Sequence, residues 1–351
     1  MTATIGDGKE HILVAGPPYR GYLGMIANAF KACGLRASVL EWEYPNRNLL
    51  GEYWFYASSS YRSKLAKAQD RLNTSAIEKA VEDLEPDRVL VMKNAVLSQK
   101  TRRLCDDRGT RLALWAYDNV RQYPRIAEAA ADYDLTFTYE PDDVRLLAET
   151  GPAKYLPMAY DPNLYFPASG AESKEFDVCF IGDLRDTPVR KDTLRLVAKD
   201  LSDGTVGVWT DAVHWYSHRR LKDLRFRMGR KSLRFTAETV GHEDINRIYS
   251  HSKVCLNIHH PQSVGALNPR SFEILGSGGL LLTDKKMEGL TGLQEGESYV
   301  RYSSGEGLME RLHGLLDDEE GRHAIAKAGH SAALRGHTYE HRAREILDSL
   351  G

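Results

Sequence analysis

The chain has 351 residues, 27% of them charged and 42% hydrophobic, with a formal net charge of -2. That length exceeds what one hydrophobic core usually organises, so two domains are expected. The near-neutral balance supplies no global field for nucleic acid, and no apolar run approaches the roughly 20 residues of a membrane span. The polar opening "MTATIGDGKEH" does not read as a secretory signal, and Cys33, Cys105, Cys179 and Cys255 lack metal-ligand spacing. They read as reduced, buried thiols, and the chain as cytoplasmic.

In chain order the first half alternates short apolar runs with helical segments. "HILVAG" (His11 to Gly16) predicts a buried strand, and the turn-rich "PPYRGYLG" opens a helix through about Cys33. "ASVLEW", "DRVLVM", "RLALWAYD", "DLTFTY" and "AKYLPM" follow as strands, and the helix "SQKTRRLCDDRG" closes on Gly109. Such alternation implies βαβ units and a parallel sheet. "AYDPNLYFPASGAESKEF" (Ala159 to Phe176) has no period and is rich in Pro, Gly and Ser, which reads as a linker. A second alternating set then begins at "DVCFIGDL". It continues through a helix near Val189 to Leu201, "VGVWT", the helix "HEDINRIYSHS", the strand "KVCLNIH", a short helix and the strand "GLLLTD", and turns helical from Gly307. The fold class is therefore α/β: an N-terminal Rossmann-like domain over 1–165, a second over 166–335, and a C-terminal helix over 336–351.

The short helix in "GALNPRSFEILGSGGLLLTD" carries the most chemistry. Asn268 suits the N-cap and Pro269 the first helical position. The helix follows a strand, so its N-terminus belongs at the carboxyl edge of the sheet, where such sheets bind ligands. Free amides and the helix dipole favour phosphate there, and Arg270 adds a fixed cationic fork. Glu273, one turn further in on nearly the same face, suits the two hydroxyls of a ribose. Phosphate at the mouth and ribose one turn down describe a nucleoside diphosphate. Arg190 and Lys191, at the start of the second domain's first helix, suit a phosphate clamp. Gly182 after the first strand, Gly241 before its helix, and His259 with His260 at a strand end complete the candidate donor-binding set. Base contacts are expected near Trp209 to Trp215 and Val240 to His242.

These residues also carry a resemblance. The run from Gly241 to Asp284, with "FDVCFIGDLRDTPVRKDTLRLV", "LALWAYDN" and "HTYEHRAREIL", resembles the spore-maturation CgeB-like glycosyltransferases. The resemblance implies a GT-B fold: two Rossmann-like domains facing across a cleft, the donor nucleotide held by the second, the acceptor by the first, and the last helix crossing back. It implies transfer of a sugar from a nucleoside-diphosphate sugar to a hydroxyl acceptor. Related retaining enzymes often carry a glutamate eight residues before the ribose-binding one. Here that position is Gly265, so the stereochemistry does not carry over.

In the first domain, "GPPYRGYLG" lacks the G-x-G-x-x-G spacing of a dinucleotide site, which disfavours a dehydrogenase. Tyr19, Arg20 and Gly21 become acceptor-side candidates, as do Lys93 and Asn94 at the end of "DRVLVM". Asp118 is the expected catalytic base, or an acceptor anchor if the transfer retains configuration, with Glu140 the second candidate, since each follows a strand. The "DYD" at Asp132 to Asp134 precedes its strand and is discounted as a metal motif. No cofactor or metal is expected, the leaving charge being met by Arg270, Arg190 and backbone amides. The aromatic and basic stretch around Tyr53, Trp54, Phe55, Tyr56, Tyr61, Arg62, Lys64, Lys67 and Arg71, with the basic run Arg219 to Arg234, suits a lipid-linked acceptor or peripheral contact at the inner membrane face. The alternatives are a nucleotide-sugar epimerase using His259 or His260, and a non-catalytic nucleotide-binding relic.

Overall fold

The computed structural model describes residues 9–42, 59–93, 96–184, 187–201, 203–210, 233–237, 239–261, 263–287 and 289–351. The chain divides into two compact units, one of Met1–Pro157 with Tyr339–Gly351, the other of Met158–Thr338. In the first unit the order is β1 (His11–Gly16), α1 (Tyr22–Ala32), β2 (Arg36–Glu41), α2 (Ser59–Leu84), β3 (Arg88–Met92), α3 (Gln99–Arg108), β4 (Arg111–Ala116), α4 (Arg125–Ala130), β5 (Leu135–Thr138), α5 (Asp143–Leu147) and β6 (Ala153–Tyr155). The six strands pair in parallel in the order β2-β1-β3-β4-β5-β6.

Local chemistry explains these elements. β1 and β3 are buried at every position, as continuous apolar runs inside a parallel sheet should be. β2, at the edge, mixes exposed and half-buried residues. α3 starts where the Ser98 hydroxyl accepts from the Thr101 N–H and ends at Gly109, whose φ of 70° is the left-handed stop expected of a glycine there. Strand order reverses between β1 and β3, so the loops after those two strands flank this sheet's switch point.

The second unit runs β7 (Phe176–Ile181), α6 (Pro188–Asp200), β8 (Val206–Thr210), β9 (Leu233–Ala237), α7 (His242–Ser250), β10 (Ser252–Asn257), α8 (Pro269–Gly276), β11 (Leu281–Thr283), β12 (Val300–Arg301), α9 (Gly305–Asp317) and α10 (Glu319–Gly336). Its parallel sheet is ordered β9-β8-β7-β10-β11-β12, with the switch point between β7 and β10. β12 has only two residues and no pattern to reveal it, which is why the sequence shows no strand there. The last helix, α11 (Tyr339–Leu350), rejoins the first unit, where it packs on α1. Arg342 on its buried face donates from Nε to the Pro157 carbonyl at 2.9 Å.

The segment read as a linker is packed rather than loose. Tyr160 and Tyr165 are each 1% exposed. Phe166 N–H donates to Asn246 on α7 at 3.0 Å, and a side chain at Gly276 would collide with the Tyr160 ring. Its lack of periodicity reflects irregular backbone whose aromatics nevertheless belong to a core. Close approach also governs α10, where a Cβ on Gly329 would strike the Ser298 carbonyl. Gly329→Ala is therefore expected to destabilise the protein by about 1–3 kcal/mol despite alanine's better helix propensity. Urea unfolding checks this, and wild-type stability in the variant would refute that packing.

Candidate donor and acceptor sites

At the second unit's switch point, β7 and β10 end side by side. Arg190, on the first turn of α6, crosses them: Nη1 donates to the Asp183 carbonyl at 2.6 Å and Nε to the Ile258 carbonyl at 2.9 Å. Its guanidinium also lies 5.9 Å from the Phe180 ring centroid and is only 5% exposed. The residue expected to clamp phosphate thus ties together the two loops that flank the site. Gly182 leaves β7 with its N–H on the Trp209 carbonyl at 2.9 Å, and a Cβ there would crowd the Phe180 ring. Lys191 is half-buried beside it.

α8 begins as the sequence predicts. Asn268 is extended, with φ -71° and ψ 160°, and its side chain accepts from the Ser271 N–H; Pro269 follows at the first helical position. A reciprocal amide pair fixes this cap to the end of β10. Asn257 Nδ2 donates to Asn268 Oδ1 at 3.0 Å, and Asn268 Nδ2 returns a bond to Asn257 Oδ1 at 3.2 Å. Asn257 Nδ2 also donates to Ser271 Oγ at 2.9 Å. Arg270 is half-buried and Glu273 is 4% exposed. Both act on the buried Tyr249 of α7: burial pushes its hydroxyl far up, Glu273 adds to that, and Arg270 opposes it. Arginine, glutamate and tyrosine therefore share one neighbourhood at the helix start.

His259 and His260 separate cleanly. His259 is 3% exposed, with Nδ1 2.7 Å from Asp284 Oδ1 and Nε2 3.4 Å from Ser271 Oγ. Burial pulls its pKa below the usual histidine value and outweighs the pull of Asp284 in the other direction. Burial would raise Asp284, but its side-chain and backbone hydrogen bonds from His259 and the neighbouring charges together outweigh burial and hold that carboxyl below its ordinary range. Burial thus favours the neutral ring, and the hydrogen bonds favour the charged carboxylate. His260 is half-buried, its carbonyl accepting from Ser263 N–H at 2.9 Å. Gly241 caps α7 with open space around it, and Nδ1 of the neighbouring His242 shares a 2.6 Å hydrogen bond with the Tyr165 hydroxyl. Asn257, Ser271, Tyr249 and Asp284 were not singled out from sequence. Ser271, inside "NPRS", was the available signal, since serine favours helix starts.

In the first unit, Lys93 and Asp118 leave the adjacent strands β3 and β4 and meet, Nζ to Oδ2, at 3.7 Å. Lys93 is held at φ 82°, an unusual value for a side-chain-bearing residue, with its N–H on the Trp115 carbonyl at 2.9 Å. Burial pushes the Asp118 carboxyl above its ordinary range, and Lys93 only partly opposes it. Glu140 is completely buried, its N–H accepted by Thr138 Oγ1 at 3.2 Å. Of the two carboxylates, only Asp118 retains an exposed fraction, 13% of its side chain. Tyr19 is 49% exposed with the Arg20 guanidinium 6.0 Å from its ring, and Arg20 and Gly21 both take positive φ, 49° and 67°. Asn94, the aromatics at 53–56, the side chains of Tyr61 and Arg62, Trp215 and the run 219–232 lie outside the described residues. The discounted "DYD" serves the backbone: Asp132 accepts from the Leu97 N–H at 3.0 Å and Asp134 from the Leu112 N–H at 2.8 Å.

Comparison with known proteins bears on these geometries. A family model described as "Glycosyl transferase-like" matches residues 194–348, which include α7, β10 and α8. No curated protein sequence matches the chain. Among solved structures, the chain is similar to the sucrose-phosphate synthase of Thermosynechococcus elongatus, with TM-score 0.69 and 12% identity over 97% of this chain and 98% of that one. It is similar to Anabaena HepE in complex with UDP-glucose, with TM-score 0.65 and 14% identity over 97% and 100%. It is also similar to a glycosyltransferase from Rickettsia africae, with TM-score 0.63 and 10% identity over 98% of each. Two all-parallel six-stranded α/β units, matched along nearly the whole chain, give the protein the GT-B fold of the glycosyltransferases.

Proposed function

We propose that the chain is a nucleotide-sugar-dependent glycosyltransferase, of the CgeB-like group, that moves a sugar from a nucleoside-diphosphate sugar to a hydroxyl acceptor. One observation carries the reading: at the switch point of the second sheet, a helix capped by Asn268 and Pro269 sets Arg270 and the buried Glu273 one turn apart. The α8 amides and Arg270 take the diphosphate, and Glu273 takes the ribose hydroxyls. The leaving negative charge then develops against a preorganised dipole and a fixed cation. The likeness to a HepE structure holding UDP-glucose supports a donor of this class.

In the first unit Asp118 serves the acceptor. It removes the hydroxyl proton as that oxygen attacks the anomeric carbon and the sugar–diphosphate bond breaks. Lys93 holds the carboxylate, and Tyr19 and Arg20 line the acceptor side. A glycan, a lipid-linked sugar or a small hydroxyl compound fits this role. The exposed Lys64, Lys67 and Arg71 of α2, beside Leu72 at 64% exposure, suit contact with anionic headgroups.

The test is release of nucleoside diphosphate from UDP-, GDP-, CDP- and dTDP-sugars, with and without a panel of saccharide and lipid-linked acceptors. Acceptor-dependent release from donors of one base is the expected result. Isomerised donor without an acceptor would identify an epimerase. Nucleotide binding without turnover across the panel would identify a binding module.

A further inference from the structure

We infer that Asp284, His259 and Ser271 form a buried positioning relay that fixes the first turn of α8 for the donor diphosphate, with His259 acting through Ser271 rather than touching the ligand. The inference rests on the donor-site reading above and adds to it how that site is held.

With the His259 ring neutral, the hydrogen-bond directions close in one way. The Asp284 carboxylate accepts from the His259 backbone N–H, at 3.1 Å and 3.2 Å to its two oxygens, and faces Nδ1 at 2.7 Å. A carboxylate cannot donate, so Nδ1 carries the proton and Nε2 of the neutral ring is an acceptor. Nε2 then accepts the Ser271 hydroxyl proton, while Ser271 Oγ receives Asn257 Nδ2. Asn257 in turn grips the Asn268 cap. The chain of bonds thus runs from the end of β11, through the end of β10, to the first turn of α8. Asp284 follows β11 and Asn257 ends β10, where Asn257 and Thr283 are in register.

The order aspartate–histidine–serine invites a nucleophilic reading, but the partners already in place oppose it. The His259 ring is held between Asp284 and Ser271, and the Ser271 hydroxyl between Asn257 Nδ2 and His259, so both are directed at each other rather than at a substrate. The hydroxyl is also a helical first-turn residue whose N–H is already capped. What the relay can do is orient. The neighbouring residue, Arg270, owes its direction to the turn that Ser271 anchors, and diphosphate recognition is sensitive to small errors in that direction. The charged groups facing the ring are Asp284, Lys285 and Arg190, of which only Asp284 touches it.

The measurement compares UDP with uridine, and GDP with guanosine, by calorimetry on the full chain, in the wild type, Ser271→Ala, His259→Asn and Arg270→Ala. The relay fixes the phosphate end. Ser271→Ala and His259→Asn should therefore each weaken the diphosphate about tenfold and leave the nucleoside within twofold. Equal loss of both ligands, or of neither, would overturn the relay. If Arg270→Ala leaves the diphosphate unaffected, the donor-site reading itself fails. If Arg270→Ala weakens it while the relay variants do not, only the relay fails. Independently of any variant's folding, ¹⁵N histidine spectra of the wild type should show an Nδ1–H tautomer at His259; an Nε2–H tautomer there would refute the bond directions.

Discussion

Replacing Asp118 by asparagine is expected to lower kcat by about 10²- to 10⁴-fold, the usual contribution of a general base, with the donor's Kd unchanged. The expectation follows from where the side chain sits. It leaves β4 beside Lys93 at 3.7 Å, is 13% exposed, and its Oδ2 has no hydrogen-bond partner among the described residues. Burial raises its pKa, which makes the carboxylate a stronger base than an exposed one, and Lys93 partly opposes that shift. The acid limb of the kcat/KM profile should therefore lie above the ordinary carboxylate range, and Lys93→Met, which removes the opposing cation, should move it further up. Stability supplies a control. A carboxyl whose folded pKa is raised costs stability once pH rises above its unfolded value of 3.8 and through its folded one. Asp118→Asn should thus melt no lower than the wild type at pH 7, so lost activity cannot be attributed to unfolding. Activity within threefold of the wild type would remove Asp118 from the chemistry.

Much of the architecture was legible because parallel sheets write themselves plainly in sequence. β1 and β3 are apolar after their first residues, His11 and Arg88, because both faces are covered, and Ser98 and Gly109 mark the ends of α3 by capping chemistry that needs no tertiary context. The same holds at α8, where asparagine and proline specify a start that the structure reproduces residue for residue. What was not legible depends on neighbours distant in the chain. Tyr160 looks like a linker residue until the absence of a side chain at Gly276 gives its ring a seat. The sequence offers Arg190 as a phosphate ligand but does not show that it also bonds the carbonyls of Asp183 and Ile258, the latter sixty-eight residues from it. Glu140 follows a strand just as Asp118 does, yet one is sealed and the other reachable, a difference set by packing rather than by position along β5 or β4. The histidine pair shows the limit in one dipeptide: His259 is enclosed and the adjacent His260 half-buried, and only the placement of Asp284 and Ser271 tells which is which.

Loss of the Glu273 carboxylate is expected to weaken the nucleoside diphosphate by about 10- to 100-fold, and loss of the Arg270 guanidinium by a similar factor, since hydrogen bonds to a charged group are worth about 1.5–3 kcal/mol. The two losses should differ in character. Arg270→Lys keeps the charge but not the planar fork, so it should restore only part of the affinity for a diphosphate. Glu273→Ala removes an acceptor for hydroxyl groups, so its effect should be smaller for a 2′-deoxynucleoside diphosphate, which offers only the 3′-hydroxyl. In the wild type the deoxy compound should bind more weakly than the ribo compound; in Glu273→Ala the two should bind alike. The comparison isolates the ribose contact from any disturbance of the helix, because a distorted α8 would weaken both nucleotides together. Glu273 is 4% exposed and shares the surroundings of Tyr249 with Arg270, so a hydroxyl pair that displaces water from this carboxylate gains a desolvated, charge-assisted bond. Equal binding of ribo and deoxy nucleotides by the wild type would mean that this glutamate does not read the sugar ring, and the assignment of α8 as the donor helix would fall with it.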